Sequence, residues 1–259
     1  MTSPTAFDTL DIPTPAGAAD AYFARPDDGA AHPGVLLFMD AFGLRPWLGE
    51  LVRIIAAEGY SVLAPNLFYR SGRAPLLPLP DFSEPRSRDE FFAALRPIAA
   101  ASITPENVIQ DVDAYLAQLE SSEFVATGPI ATVGYCLGGG LALRTAGRLG
   151  DRIAAAASFH GGNLAEEDNP DSPHRTVDGS TAQLYIAHAD QDQSMPPEQI
   201  TRLEQTLDGA GIRYTSVVYA GAAHGFTQRD IPSYNEQAYE RHLTDLLALF
   251  GRAFGNSPR

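Results

Sequence analysis

The sequence predicts an α/β protein with a mostly parallel central sheet and helices on both faces. Three observations point there. Short continuous apolar runs alternate with longer amphipathic stretches along most of the chain. The runs have the length of strands buried on both faces, and the stretches have the length of covering helices. Glycine and proline punctuate the joins.

The elements follow in order. Residues 34–39 form an apolar run ended by Asp40 and read as a buried strand. Residues 46–58 read as a helix, with Pro46 in its first turn and Gly59 as its stop. A second strand covers 60–64 and ends at Pro65. Residues 71–86, rich in Pro, Ser and Arg, are expected to form a surface excursion. Helices are expected over 89–100 and 105–119, a strand over 130–134 and a helix over 137–149. The alanine-rich segment 153–159 reads as a strand from its place in the alternation. Residues 162–181 are expected to be an exposed polar loop. Strand 184–187, helix 197–209, strand 214–219 and helix 235–250 complete the pattern.

No composition shift, linker or repeat divides the 259 residues, so one domain over 1–259 is expected. Thirty-two acidic against 18 basic residues leave a net charge of -14. That balance argues against nucleic acid and against an anionic membrane surface as partners. Every basic residue is arginine. Without lysine, Schiff-base catalysis, lysine-anchored pyridoxal phosphate and a GxxxxGK[ST] phosphate loop are excluded. A lone cysteine, Cys136, forms no intrachain disulfide or Cys-pair zinc site and suits a reducing compartment. Residues 1–8 lack the basic and apolar regions of a leader, and no apolar run nears the ~20 residues that span a bilayer. A cytoplasmic location is expected. No two histidines stand at metal-ligand spacing, so neither a metal nor a cofactor is expected.

The most informative stretch is Gly134-Tyr135-Cys136-Leu137-Gly138-Gly139-Gly140, between a strand and a helix. It has the form of the G-x-S-x-G nucleophile elbow with Cys in place of Ser. Side chains two residues before or after the nucleophile would strike neighbouring backbone, hence Gly134 and Gly138. The turn lifts the sulfur above the sheet, and the helix N-terminus favours negative charge there. A free cysteine is otherwise an inert buried thiol. An elbow requires an acid and then a histidine further along the chain. The segment after strand 184–187 offers Asp190 and Asp192, either of which could instead cap the following helix. The segment after strand 214–219 offers His224, flanked by small residues. His160, at the end of strand 153–159, is a candidate pocket residue. His188 starts the acid segment, and His32, His174 and His242 are expected to be peripheral.

With these residues in place, the sequence resembles the dienelactone hydrolase (carboxymethylenebutenolidase) family of the α/β-hydrolase superfamily, from about residue 34 to about residue 250. The strongest element is Gly134–Gly140. The others are Asp192-Gln193-Ser194-Met195-Pro196, Ala223-His224-Gly225-Phe226, and Met39-Asp40-Ala41-Phe42-Gly43-Leu44 followed by Gly59-Tyr60 and Ala64-Pro65-Asn66-Leu67. The resemblance implies the α/β-hydrolase fold, and the family's D-x-x-V-P spacing selects Asp192 over Asp190. It implies a Cys136–His224–Asp192 triad, with Leu137 and Ala41 amides forming the oxyanion hole. It implies that Asp40, where the best-known members have Glu, contacts the resting nucleophile. The family grips a substrate carboxylate with two arginines. Arg88 stands near the first position, while the second position holds Gln228 with Arg229 beside it. Phe92 takes the place of a pocket aromatic.

The implied chemistry is cleavage of a small lactone or activated ester through a thioester. The departure at Gln228 favours a general carboxylesterase or thioesterase acting on neutral esters. A reading from another class is a non-catalytic small-molecule binder or redox-sensing thiol. It explains a reactive cysteine but not Asp192 and His224 in their places.

Overall fold

The computed structural model describes residues 4–255. Residues 1–3, on which part of the leader reading rests, and residues 256–259 of the expected domain lie outside the described residues. One eight-stranded sheet runs in the order β1-β2-β4-β3-β5-β6-β7-β8. Its elements are β1 (Thr5–Thr14), β2 (Gly17–Pro26), β3 (Gly34–Phe38), α1 (Pro46–Ala57), β4 (Ser61–Pro65), α2 (Pro85–Ser102), α3 (Pro105–Glu120) and β5 (Ile130–Tyr135). There follow α4 (Leu137–Leu149), β6 (Ile153–Phe159), β7 (Gln183–Gln191), α5 (Pro197–Gly209), β8 (Tyr214–Ala223) and α6 (Glu236–Phe254). Strands β3 to β8 pair parallel. This is the α/β-hydrolase architecture expected above.

The reason each run becomes a strand is visible in its burial. β3, β4 and β5 are buried at every position, which only strands covered on both faces allow. The faces follow from parity along β5. The Thr132 hydroxyl donates to the carbonyl of Ala142 in α4. Tyr135, of opposite parity, places its hydroxyl 2.9 Å from His242 Nε2 in α6. So α4 and α6 cover opposite faces. Trp47 of α1 packs on Tyr239 of α6, and Arg148 of α4 pairs with Asp113 of α3. The alanines of β6 suit this crowding: a Cβ on Gly139 of α4 would come within 2.3 Å of Ser158 Oγ. Small side chains there let helix and sheet approach.

The structure departs from the sequence reading in four places. An antiparallel hairpin, β1 and β2, precedes the first expected strand and pairs with β4. Helix α2 starts at Pro85, before the expected 89, so Arg88 lies in its first turn. Strand β7 runs on to Gln191, taking His188 into the ladder and leaving Asp190 at a register shift between Ala189 and Gln191. The 162–181 segment is anchored, with Leu164, Ala165, Pro173, His174 and Val177 buried. Its apolar residues are too widely spaced to show periodicity, yet Leu164 and Pro173 pack at Gly140 of α4 and Val177 at Gly147. His174 and His242 are correspondingly buried and not peripheral. His242 packs edge-on against Phe159 at 4.4 Å and has a depressed pKa of about 3, because burial disfavours the imidazolium.

Candidate active site

At the C-terminal end of β5 the chain turns sharply. Cys136 adopts φ 55°, ψ -119°, a conformation L-residues rarely take. The glycines around it are sterically required. A Cβ on Gly134 would lie 1.9 Å from the Gly138 carbonyl oxygen. A Cβ on Gly138 would lie 2.4 Å from the Phe38 oxygen and 2.6 Å from the Met39 oxygen. Gly138 therefore brings the start of α4 against the end of β3. That contact sets the Leu137 amide close to the segment carrying Ala41. The Leu137 N–H, first in its helix, has no intrahelical acceptor. Among the described residues no acceptor faces the Ala41 N–H either.

Cys136 is half-buried, and His224 Nε2 lies 3.0 Å from its Sγ. The other ring nitrogen, Nδ1, is 2.7 Å from Asp192 Oδ2. The second carboxylate oxygen of Asp192 accepts from the Ser194 amide at 2.9 Å and the Ser194 hydroxyl at 2.6 Å. Those bonds leave the carboxylate one orientation, facing His224. Asp190 is spent elsewhere, accepting from the Gly221 amide. Burial works against charge on His224, but the Cys136 sulfur and the Asp192 carboxylate outweigh it and push the imidazole up to about 10. Burial likewise works to raise Asp192, and His224 and Ser194 bring it below the usual carboxylate range.

A stability consequence follows. The folded His224 pKa lies above the unfolded value of 6.5, so its contribution is complete below pH 6.5 and fades as pH rises through about 10. Urea midpoints across that window should fall in the wild type. The fall should be shallower in His224→Gln.

Asp40 is buried, and among the described residues no hydrogen bond joins it to Cys136. Its carboxylate accepts from Arg45 Nη1 at 2.8 and 3.0 Å and from the Phe42 amide at 2.8 Å. Arg45 in turn donates to Asp230 at 2.6 Å. Burial raises the Asp40 pKa against the opposing pull of Arg45. The two carboxylates hold Arg45 above its ordinary value against burial. With a side chain shorter than glutamate, the group forms an ion-pair tie between the Ala41 segment and the segment after His224. We expect Arg45→Met to cost about 3–5 kcal/mol in urea unfolding, because it strands a buried charge. The double change Asp40→Asn/Arg45→Met should cost less.

The expected pocket residues divide. Phe92 is half-buried in a cluster with Phe42, Phe82 and Phe91, and Phe42 directly follows Ala41 in sequence. Arg88 is exposed and lies over the Phe92 ring at 5.6 Å. His160 is fully buried, so it does not line an open pocket. It packs edge-on behind His224, ring centres 5.2 Å apart, and its Nε2 meets Thr227 Oγ1 at 2.8 Å. Burial keeps it neutral, well below the usual histidine range. Arg229 turns outward onto Tyr239, Trp47 and Tyr234 and bonds the Tyr234 hydroxyl. Gln228 is buried beneath the His224 segment. Sequence reasoning missed Ser194, Arg45, Asp230 and Thr227. Only Ser194 had a signal, the Asp-x-Ser spacing of a turn.

Among the described residues, no group of three His, Cys, Asp or Glu side chains stands where it could hold a metal ion. No helix among them is long and apolar enough to cross a membrane.

Comparisons with known proteins agree with this architecture. The family model for the dienelactone hydrolase family matches residues 19–254. A "Putative carboxymethylenebutenolidase" of Salmonella typhi is 27% identical over 249 residues, spanning 94% of this chain and 86% of that one. One from Escherichia coli strain K12 is 27% identical over 244 residues, spanning 92% and 84%. The crystal structure of a "Putative Dienelactone Hydrolase" from Klebsiella pneumoniae superposes with a TM-score of 0.83 at 23% identity, covering 96% of this chain and 99% of that one. The match along almost the whole sheet, together with these relatives, shows that the chain belongs to the dienelactone hydrolase family of the α/β-hydrolase superfamily and is a hydrolase of ester or lactone bonds.

Proposed function

We propose that this hydrolase works through Cys136, His224 and Asp192 by way of a thioester, within one catalytic unit that includes all the described elements. One observation carries the reading: His224 bridges Cys136 Sγ at 3.0 Å and Asp192 at 2.7 Å through its two ring nitrogens. The His224 imidazolium faces the Cys136 sulfur, whose reacting form is the thiolate. The sulfur attacks the carbonyl carbon of a small ester or lactone. The Leu137 and Ala41 amides hold the oxyanion, a type of donor worth about 3 kcal/mol each. The carbon–oxygen bond breaks, and His224 gives its proton to the leaving oxygen.

Acylation removes the negative charge from sulfur. His224 thereby loses one of the partners that keep it charged, so it becomes a base when one is needed. It takes a proton from water, the water oxygen attacks the thioester, and the thiolate departs. Enol esters and other good leaving groups suit this nucleophile. Amides do not, since the thiolate would leave before a poorly protonated amine. The test is intact-protein mass spectrometry after rapid quenching with p-nitrophenyl acetate. An acetyl group on the Cys136 peptide is expected, and turnover with no trace of it would overturn the thioester route.

The substrate is a small molecule, and Arg88 is the one cation we assign to a carboxylate on it. Arg229 is committed to its aromatic surroundings and Arg45 to its two aspartates. Arg88→Ala should raise KM for a carboxylate-bearing ester about tenfold, the worth of one charge-assisted hydrogen bond, and leave a neutral ester unchanged. Equal effects on both substrates would remove Arg88 from the site. In that case the enzyme is a carboxylesterase for neutral esters.

A further inference from the structure

On the face away from α6, helices α3 and α4 diverge around a cavity of about 530 Å³, within the size range of small-molecule sites. Val108, Ile109 and Val112 of α3 and Leu141 of α4 give it apolar walls. Cys136, His224 and Asp192 are not part of it. Two polar groups on one turn of α4 also line it. Arg144 is half-buried, and among the described residues it has no hydrogen-bond partner and no carboxylate within ion-pair distance. Its neighbour one turn on, Arg148, is paired with Asp113 at 2.7 Å. Beside it, the buried hydroxyl of Thr145 has no hydrogen-bond partner.

Arg144 differs from the exposed unpaired arginines in being half-buried in the cavity wall with no carboxylate to offset its charge. Burial pulls its pKa below the ordinary value, and Asp171 on the rim opposes this without reaching it. A guanidinium and a hydroxyl are both donors, and together they present an anion-binding corner on an apolar chamber. Among the described residues lining the cavity, the charged groups besides Arg144 are Asp171 and the already paired Arg148.

We propose that this cavity is a second small-molecule site, separate from the catalytic one, for a carboxylate with an unbranched apolar tail. The head sits on Arg144 and Thr145, and the tail lies between α3 and α4.

The test is calorimetric titration of octanoate into protein whose Cys136 has been carbamidomethylated, with 1-octanol as the uncharged comparison. One octanoate per chain is expected, with octanol at least tenfold weaker. Arg144→Leu should weaken octanoate at least tenfold, leave octanol unchanged and leave ester turnover unchanged. Ile109→Trp, which fills the chamber from its exposed rim and keeps Arg144, should abolish binding of both. Three results would overturn the proposal: no octanoate binding to unmodified protein, equal octanoate binding in Arg144→Leu, or binding that disappears when Cys136 is alkylated. The last would place the ligand in the catalytic site.

Discussion

Replacing Cys136 with alanine should reduce p-nitrophenyl acetate turnover on the order of 10⁴-fold or more, the scale seen when a triad nucleophile is removed. The fold should survive. The strained φ of 55° at this position is imposed by Gly134 and Gly138, whose close contacts with the Gly138 and Phe38 carbonyls remain when sulfur is lost. Removing the thiol also removes a charge that holds His224 protonated, so the variant should titrate its histidine lower. Iodoacetamide offers the same test without mutation. Labelling of the half-buried sulfur should proceed in step with loss of turnover. Turnover that survives complete labelling would show the reaction runs elsewhere, and the redox-thiol reading would then account for Cys136.

The parts of this site legible in the sequence are those where sterics leave little choice. The glycines at 134 and 138 are read directly because any side chain there would strike backbone. His224 and the Asp190/Asp192 pair follow from topology, since each follows a later strand on the same edge of a parallel sheet, and the choice of Asp192 came from the family resemblance. What stayed hidden depends on distances that only the fold creates. Arg45 and Asp230 are 185 residues apart, and their pairing leaves no trace in local pattern. The partner of Asp40 was hidden for the same reason: its carboxylate bonds the guanidinium of Arg45, which the fold brings to it. His160 shows a different limit. Its position at a strand end suggested a pocket wall, but the Thr227 bond and the packing behind His224 turn it inward. The β1–β2 hairpin was missed because β1 is half-exposed and β2 is rich in alanine, so neither shows a strong apolar run.

Asp192→Asn should preserve structure yet lower kcat/KM on the order of 10³- to 10⁴-fold, as loss of the orienting carboxylate does in the serine template. In the native site the carboxylate accepts from Nδ1–H, leaving Nε2 to face Cys136 Sγ. An asparagine amide, still held through its oxygen by Ser194 N–H and Oγ–H, turns a donor toward Nδ1. The neutral ring then carries its proton on Nε2 and cannot accept one from water. The variant also loses one of the two partners that outweigh burial at His224, so the imidazolium gives up its proton at lower pH. The rate of Cys136 alkylation against pH reads this directly. Its titration associated with His224 should move to lower pH in Asp192→Asn, whereas a purely structural role would leave the profile in place and change only the unfolding midpoint. A folded variant with activity within tenfold of wild type, and an unmoved alkylation profile, would remove Asp192 from the machinery.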